Sequence, residues 1–302
     1  MPSLLDMTDV PMTNILEQCT YKSVLALRKV CHSLRNFVDD SCFKTDLDKI
    51  FITIGPTGFS LRCYPLNVFL PNGNGFAKDW TSNDLTILLK LIQNSKLSCL
   101  TVITIPQNVG GSDDLEEDLK NQTRPLHTER FEMEGSDVVK VLPYLDSKTL
   151  KKISITPAGF GNDVRILDRI EKVIELEQFK NAVEIDISSR FFVRVDLRKF
   201  LHFQKVFVML HETSLEEFVA LKEAFVASTH MEEFFLNGRG LDENQLKHVF
   251  GTPFHDRHGD SQWYFKIGSC KEHVLRIKFT LDSIFFRKWE AEEVPQNAVV
   301  RH

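Results

Sequence analysis

The sequence predicts an α/β protein in which a short N-terminal helical module precedes an irregular β-α array. Three observations carry that expectation. Within residues 9–38, apolar side chains recur at three- and four-residue steps in three short runs, the period of amphipathic helices. Further along, an apolar-x-x-apolar-x-apolar frame returns several times, and its closing alternation is that of a half-buried strand. Amphipathic helical stretches separate the later copies of that frame, so strand and helix alternate.

In the N-terminal module, Asp9 is placed to cap a first helix whose opening turn accepts Pro11, because the first N–H groups of a helix have no internal partner. Met12, Ile15 and Leu16 share one face of it. A break at Thr20 and Tyr21 precedes a second helix starting at Ser23, with Val24, Leu27, Val30 and Cys31 along one stripe, and Leu34, Phe37 and Val38 continue the pattern into a third. A unit of about 35 residues has too much surface for its volume to hide all of these side chains. Part of the apolar surface must meet something else. Either it packs on the rest of the same chain as an N-terminal cap, or it docks on another protein, and the residues alone leave both open.

The run LLDMTDVPMTNILEQCTYKSVLALRKVCHSLRNFV, residues 4–38, resembles an F-box. Met7-Thr8-Asp9-Val10 stands where that family has its Leu-Pro opening, Ile15-Leu16 where it has paired aliphatics, and Val30-Cys31-His32-Ser33-Leu34-Arg35 where it has Val-Cys-x-x-Trp-Arg. Thr8 takes the place of the usual proline and Leu34 that of the usual tryptophan. More narrowly, the opening LLDM, the run KSVLALRKVCHSLRNFVDD and the chain length resemble the nematode-expanded F-box proteins that carry an FTH domain, here diffuse over residues 130–280. The resemblance implies an F-box over residues 1–45 that docks on a Skp-type adaptor, which bridges to a cullin. It implies Met7, Val10, Ile15, Leu16, Leu25, Leu27, Val30 and Cys31 as contact residues, with Arg35 beside them.

Behind the box, residues 46–290 read as one α/β, target-binding region and residues 291–302 as a loose tail. Leu47-x-x-Ile50-x-Ile52-x-Ile54 alternates like a strand that Gly55-Pro56 ends, and a second strand lies near residues 59–70, before the turn-rich residues 71–75. Thr81-x-x-Asp84 resembles a capping box ahead of a helix with Leu85, Leu88, Leu89 and Ile92. Residues 106–127, which include the acidic run 113–118, show no sustained apolar period and read as a long mobile loop.

The recurring frame appears as Leu150-x-x-Ile153-x-Ile155, Ala182-x-x-Ile185-x-Ile187, Phe203-x-x-Val206-x-Val208 and Met231-x-x-Phe234-x-Leu236, with Leu97, Leu100 and Val102 as an earlier copy. The central positions 153, 185, 206 and 234 lie 32, 21 and 28 residues apart. One predicted helix spans residues 166–176, and Ser214-x-x-Glu217 opens another carrying Phe218, Leu221 and Phe225. That interval suits an irregular leucine-rich-repeat-like array, with a compact doubly wound α/β domain as the alternative. Strand-like runs at 263–267, 274–280 and 284–289 would cap its end. If the frame's aliphatics point inward, the open face carries Lys152, Ser154, Thr156, Glu184, Asp186 and Ser188, then Lys205, Phe207, Met209, Glu233, Phe235 and Asn237. Of these, Lys152, Asp186, Phe207, Met209, Phe235 and Asn237 are the candidate target-binding residues, because apolar side chains clustered on an open sheet make binding hot spots.

Composition narrows the function. At 302 residues, with 42% apolar and 26% charged, the chain suits two domains or a module and an array, and its 24 Phe suit an aromatic core. The net charge of −5 lacks the basic stripe that binding to a phosphate backbone requires. The six cysteines show no C-x-x-C pair, and Asp6 and Asp9 interrupt any signal-peptide pattern, so free thiols in the cytoplasm or nucleus are expected. No apolar run approaches a membrane span.

A catalytic constellation is not expected: G-x-S-x-G, the phosphate-binding P-loop and H-E-x-x-H motifs are absent. Gly73, Gly75, Gly159 and Gly161 lack the flanking strand, helix and acid that dinucleotide binding needs. The best metal candidate, His255, Asp256, His258 and Asp260 with His248 upstream, includes no thiolate and has Arg257 in its middle, so a polar turn is expected and neither metal nor cofactor. Cys31 sits on the apolar stripe, where burial makes a thiol inert. A non-catalytic substrate receptor of a cullin-based ubiquitin ligase is the first expectation, and a non-degradative scaffold recruiting a regulatory partner is the second.

Overall fold

A computed structural model of the chain describes residues 7–302 apart from 42, 56–57, 66–75, 81, 106–110, 136, 159–164, 168, 188–190, 239–241 and 282. It forms two compact units, Met1–Lys151 with Ala158–Phe160, and Lys152–Pro157 with Gly161–His302.

The first unit opens with α1 (Asp9–Gln18), α2 (Tyr21–Leu27) and α3 (His32–Asp40). Asp9 is the first helical residue of α1 and Thr8 the residue ahead of it, so the cap falls one position earlier than the sequence suggests. Thr20 caps α2, its hydroxyl accepting from the Ser23 N–H at 3.3 Å. Because α2 stops at Leu27 and residues 28–30 form a turn, Val30 and Cys31 do not continue its stripe. Cys31 instead caps α3, its sulfur accepting from the Leu34 N–H at 3.5 Å.

After the helices come β1 (Leu47–Gly55), β2 (Gly58–Pro65), β3 (Phe76–Trp80), α4 (Ser82–Ile92), β4 (Lys96–Thr104), α5 (Gly111–Lys120) and β5 (His127–Glu134). The strands lie in the order β5-β4-β1-β2-β3, with β4 parallel to both neighbours and the β1-β2-β3 steps antiparallel. Ile50, Leu100 and Phe131 align across the parallel strands, as do Ile52, Val102 and Met133, and all six are buried. The second strand ends at Pro65. Residues 66–75 and Thr81, where its continuation, the turn and the capping box were expected, lie outside the described residues.

The expected mobile loop over residues 106–127 is corrected by α5, which occupies residues 111–120 of it. Asp113 and Asp114 sit in its first turn, where carboxylates favour the helix dipole, and Leu115 and Leu119, one turn apart, are buried. Two apolar residues in an acidic decapeptide suffice because the helix lies on a sheet that supplies the rest of the core.

The second unit comprises β6 (Lys152–Thr156), β7 (Arg165–Ile166), α6 (Ile170–Ile174), α7 (Glu177–Asn181), β8 (Glu184–Ile187), β9 (Phe191–Val193), β10 (Lys205–Leu210), α8 (Leu215–Ala227), β11 (Glu233–Gly238) and α9 (Glu243–Phe250). It closes with β12 (Phe254–His255), β13 (Ser261–Lys266), β14 (His273–Thr280), β15 (Ser283–Glu290) and β16 (Val300–Arg301). Strands β6, β8, β10 and β11 are parallel neighbours, and their register places Ile153, Ile185, Val206 and Phe234 opposite one another. The recurrent frame is therefore a cross-strand row. Its residues are buried, while the alternate positions 152, 154, 156, 184, 186, 205, 207, 209, 233, 235 and 237 are half-buried or exposed. A doubly wound sheet would bury both faces, and this one does not.

The helix expected over residues 166–176 is broken. Arg169 adopts a left-handed backbone at φ 61°, which no helix passes through, so the helix starts only at Ile170 while Arg165 and Ile166 pair with β9, and extended backbone at Leu176 separates α6 from α7. Beyond β11 the chain turns antiparallel through β15, β14, β13 and β12. On the inner face Phe234 and Phe286 lie opposite each other, and Phe218, Phe225 and Phe250 from α8 and α9 pack on Phe286 at 6.2–6.4 Å between ring centres. Much of the phenylalanine is thus spent on one aromatic layer. The tail is not loose. Val300 and Arg301 pair with Tyr264 and Phe265, and the Arg301 guanidinium donates to the Thr252 carbonyl at 2.5 Å.

Candidate functional site

The box has an inside and an outside. Leu16, Val24, Val38 and Phe43 form one cluster with Leu91 of α4, against which Leu25, Leu27 and Phe37 are partly buried. The Arg28 guanidinium forks onto Asp39 at 2.6 and 2.8 Å, clamping α2 to α3. The Tyr21 N–H donates to Asp46 at 2.8 Å, and the Thr45 N–H to the Ser95 hydroxyl at 2.8 Å, which fixes the end of the box to the turn between α4 and β4. The capping reading thus holds for one side of the module.

Other apolar side chains of the box are uncovered. Val10 is 71% exposed, Val30 69% and Met7 44%, three of the seven large exposed hydrophobics among the described residues. Ile15 and Cys31 are half-buried, and Arg35 is exposed with its Nε 3.5 Å from the Arg28 carbonyl. Leu16 departs from the expected contact set. It is 2% exposed and belongs to the core, because it falls one turn after Met12, also buried, on the face of α1 turned to Val24 and Val38. Leu34, at the family's tryptophan position, is likewise a core residue, so that replacement alters packing inside the box. Thr8 makes no side-chain cap.

Two ionisable groups, Tyr21 of α2 and Cys63 of β2, hold their protons tightly. Burial pushes the Cys63 thiol up to about 12. Burial, with Cys63 and Asp46 nearby, does the same to the Tyr21 hydroxyl, which reaches about 12 and has no hydrogen-bond partner.

On the second unit the outer face carries two adjoining rows. Along one, Lys152, Glu184, Lys205, Glu233, Arg287 and Arg276 follow the strand register, with Lys152–Glu184 at 3.4 Å, Lys205–Glu184 at 3.5 Å and Arg287–Glu233 at 3.8 Å. Along the other, Ser154, Asp186, Phe207, Phe235 and Phe285 are neighbours. Phe207 and Phe235 stack at 4.4 Å and 12°, and Phe285 meets Phe235 edge-on at 4.6 Å and 63°. The two rows line a depression of about 330 Å³.

Burial raises the pKa of Asp186, opposed by the Lys152 charge. Four of the six candidate target-binding residues, Lys152, Asp186, Phe207 and Phe235, line or adjoin this depression. Met209 and Asn237 lie one row further along, where Asn237 donates to the Ser283 hydroxyl at 3.1 Å, and Ser188 lies outside the described residues. Sequence reasoning missed Phe285, whose alternation with Ile284 and Phe286 carried the parity signal but not the neighbour.

The histidine-rich turn is a structural turn. Asp256 accepts from the backbone N–H groups of His258 at 2.9 Å and Asp260 at 3.1 Å and from Gln262 at 2.7 Å, while Lys278 binds Asp260 at 2.7 Å. Among the described residues no group of three or more acids, histidines and cysteines is arranged to hold a metal, and no helix is long and apolar enough to cross a membrane. Gly159 and Gly161 lie outside the described residues, as do Gly73 and Gly75.

Comparison with protein families finds an F-box domain over residues 4–46 and an FTH domain over residues 112–254. The FTH match starts earlier than the sequence resemblance suggests and takes in α5, and it ends before the antiparallel strands β13 to β15. No curated protein and no solved structure matches the chain. A three-helix box with an uncovered apolar side, followed by the FTH match, makes this chain an F-box protein of the F-box plus FTH architecture.

Proposed function

We propose that the chain is the substrate receptor of a cullin-based, SCF-type ubiquitin ligase. The F-box docks on a Skp-type adaptor and through it on a cullin, and the outer face of the second unit, an irregular leucine-rich-repeat-like surface, holds the target protein. The observation that carries this reading is the exposure of Val10 and Val30 in a box whose Leu16, Val24, Val38 and Phe43 are already buried with Leu91 of α4. Met7, Ile15 and Cys31 extend that surface, and Leu25, Leu27 and Arg35 lie beside it. Leu16 acts from within, by holding α1 in place.

The chain itself performs no chemistry in this account. It raises the concentration of a target lysine near the ubiquitin carrier, turning an encounter in solution into one between tethered groups. Function in the cytoplasm or nucleus follows, and the five described cysteines, all unpaired, suit that setting.

Thr8, which leaves α1 without a side-chain cap, favours a second reading: a weakly docked box whose chain recruits a regulatory partner without degradation. Cells expressing Val10→Asp with Val30→Asp in place of the native chain distinguish the two. The ligase reading predicts loss of adaptor and cullin from the recovered complex and a longer half-life of the bound target. An unchanged half-life under both these substitutions and cullin depletion would select the scaffold.

A further inference from the structure

The aromatic row on the second unit is closed at one end and open at the other. Phe285 sets its ring edge against Phe235 at 4.6 Å, and Phe235 stacks face to face with Phe207 at 4.4 Å. A ring stacked on one face presents its second face to the next strand, which here is β8, and the residue opposite Phe207 there is Asp186. Aspartate is shorter than phenylalanine, so the row steps down at this point. The result is a notch with a carboxylate at its base and a ring as its wall, inside the depression already described.

Asp186 is half-buried in that notch. Among the described residues no hydrogen bond or ion pair reaches its carboxylate, and the nearby Lys152 ammonium is engaged with Glu184 at 3.4 Å. Lys205 is held in the same way between Glu184 at 3.5 Å and Glu232 at 3.3 Å. The cations of the rim are therefore paired with glutamates, and the partly desolvated carboxylate at the base feels the Lys152 charge without a direct ion pair among the described residues. A flat cation able to lie on a ring and fork onto a carboxylate fits both walls at once, and guanidinium does this better than ammonium.

Resting on the reading that this outer face holds the target, we propose that the target presents an arginine, whose guanidinium stacks on the free face of Phe207 and pairs with Asp186. Neighbouring apolar side chains of the target lie along Phe235 and Phe285. The glutamate-paired lysines flank the notch.

The test uses the full chain and a random peptide library displayed on phage. Selection on the native chain is expected to enrich peptides with an arginine beside an apolar residue. The same synthetic peptide with citrulline in place of arginine, equal in shape and neutral, is expected to bind the native chain about tenfold or more weakly, and the arginine peptide is expected to lose as much on Asp186→Asn. A second selection on Asp186→Lys is expected to enrich acidic peptides instead. Enriched peptides without a shared arginine, or equal binding of the arginine peptide to native and Asp186→Asn chains, would overturn the proposal while leaving the outer face as target site if Phe207→Ala still abolishes binding. Peptides indifferent to Phe207→Ala and Phe235→Ala as well would overturn both. Self-association of the native chain that Phe207→Ala abolishes would make a second copy the occupant and refute the arginine.

Discussion

Two aliphatic positions in α1 separate stability from docking. Leu16 lies in the cluster with Val24, Val38, Phe43 and Leu91, so Leu16→Ala should cost about 2–5 kcal/mol in urea denaturation. Val10 stands in solvent, so Val10→Asp should change stability by less than about 0.5 kcal/mol in the same measurement. Cys63 and Tyr21 lend a pH dependence. Each holds its proton more tightly folded than unfolded, with folded values near 12 against ordinary values of 9.0 and 10.0. The stability they contribute is complete below about pH 9 and is lost as the pH rises through about 12. Denaturation midpoints of the native chain should therefore fall on that alkaline limb, and Cys63→Ala with Tyr21→Phe should flatten the fall. Below pH 9, Tyr21→Phe alone should be neutral or stabilise by about 1 kcal/mol, since it removes a buried hydroxyl that has no partner.

Among the elements, α5 and β16 carry the sharpest tests because both replace expected disorder. Leu115→Ala should destabilise the first unit by about 2–5 kcal/mol, whereas a mobile loop would not register the change. Near the tail, Gly251 ends α9 at φ 83° with the Arg301 guanidinium 3.2 Å from where a Cβ would stand. Gly251→Ala should cost about 1–3 kcal/mol and release β16, which hydrogen exchange at residues 299–301 would report. These were the elements least legible in the sequence, and the reasons are physical. Helix α5 contributes two buried leucines and borrows the rest of its core from a sheet distant in sequence. The late start of the helix expected over residues 166–176 turns on one left-handed residue, Arg169, and its early end on extended Leu176, and neither residue type gives warning. By contrast, the parallel ladder was readable, because Ile153, Ile185, Val206 and Phe234 repeat a local pattern that strand register then aligns. Of the target face, Phe207 and Phe235 were readable from that alternation, while Phe285 required knowing which strand lies beside β11.

At the scale of the whole molecule, the box and the outer face belong to separate compact units, and each surface rests on its own core. Substitutions in one should therefore leave binding at the other unchanged within about 0.5 kcal/mol, as for independent sites without shared partners. That independence is what a receptor requires: one surface constant toward the adaptor, the other shaped to the target. The central claim, that the exposed side of the box is an adaptor-docking surface, is tested most directly by calorimetric titration of a Skp-type adaptor into the full chain. The account predicts saturable binding to the native chain and to Phe207→Ala with Phe235→Ala, weakened at least about tenfold in Val10→Asp with Val30→Asp. Equal binding by the native and Val10→Asp, Val30→Asp chains, or no binding by the native chain, would contradict it.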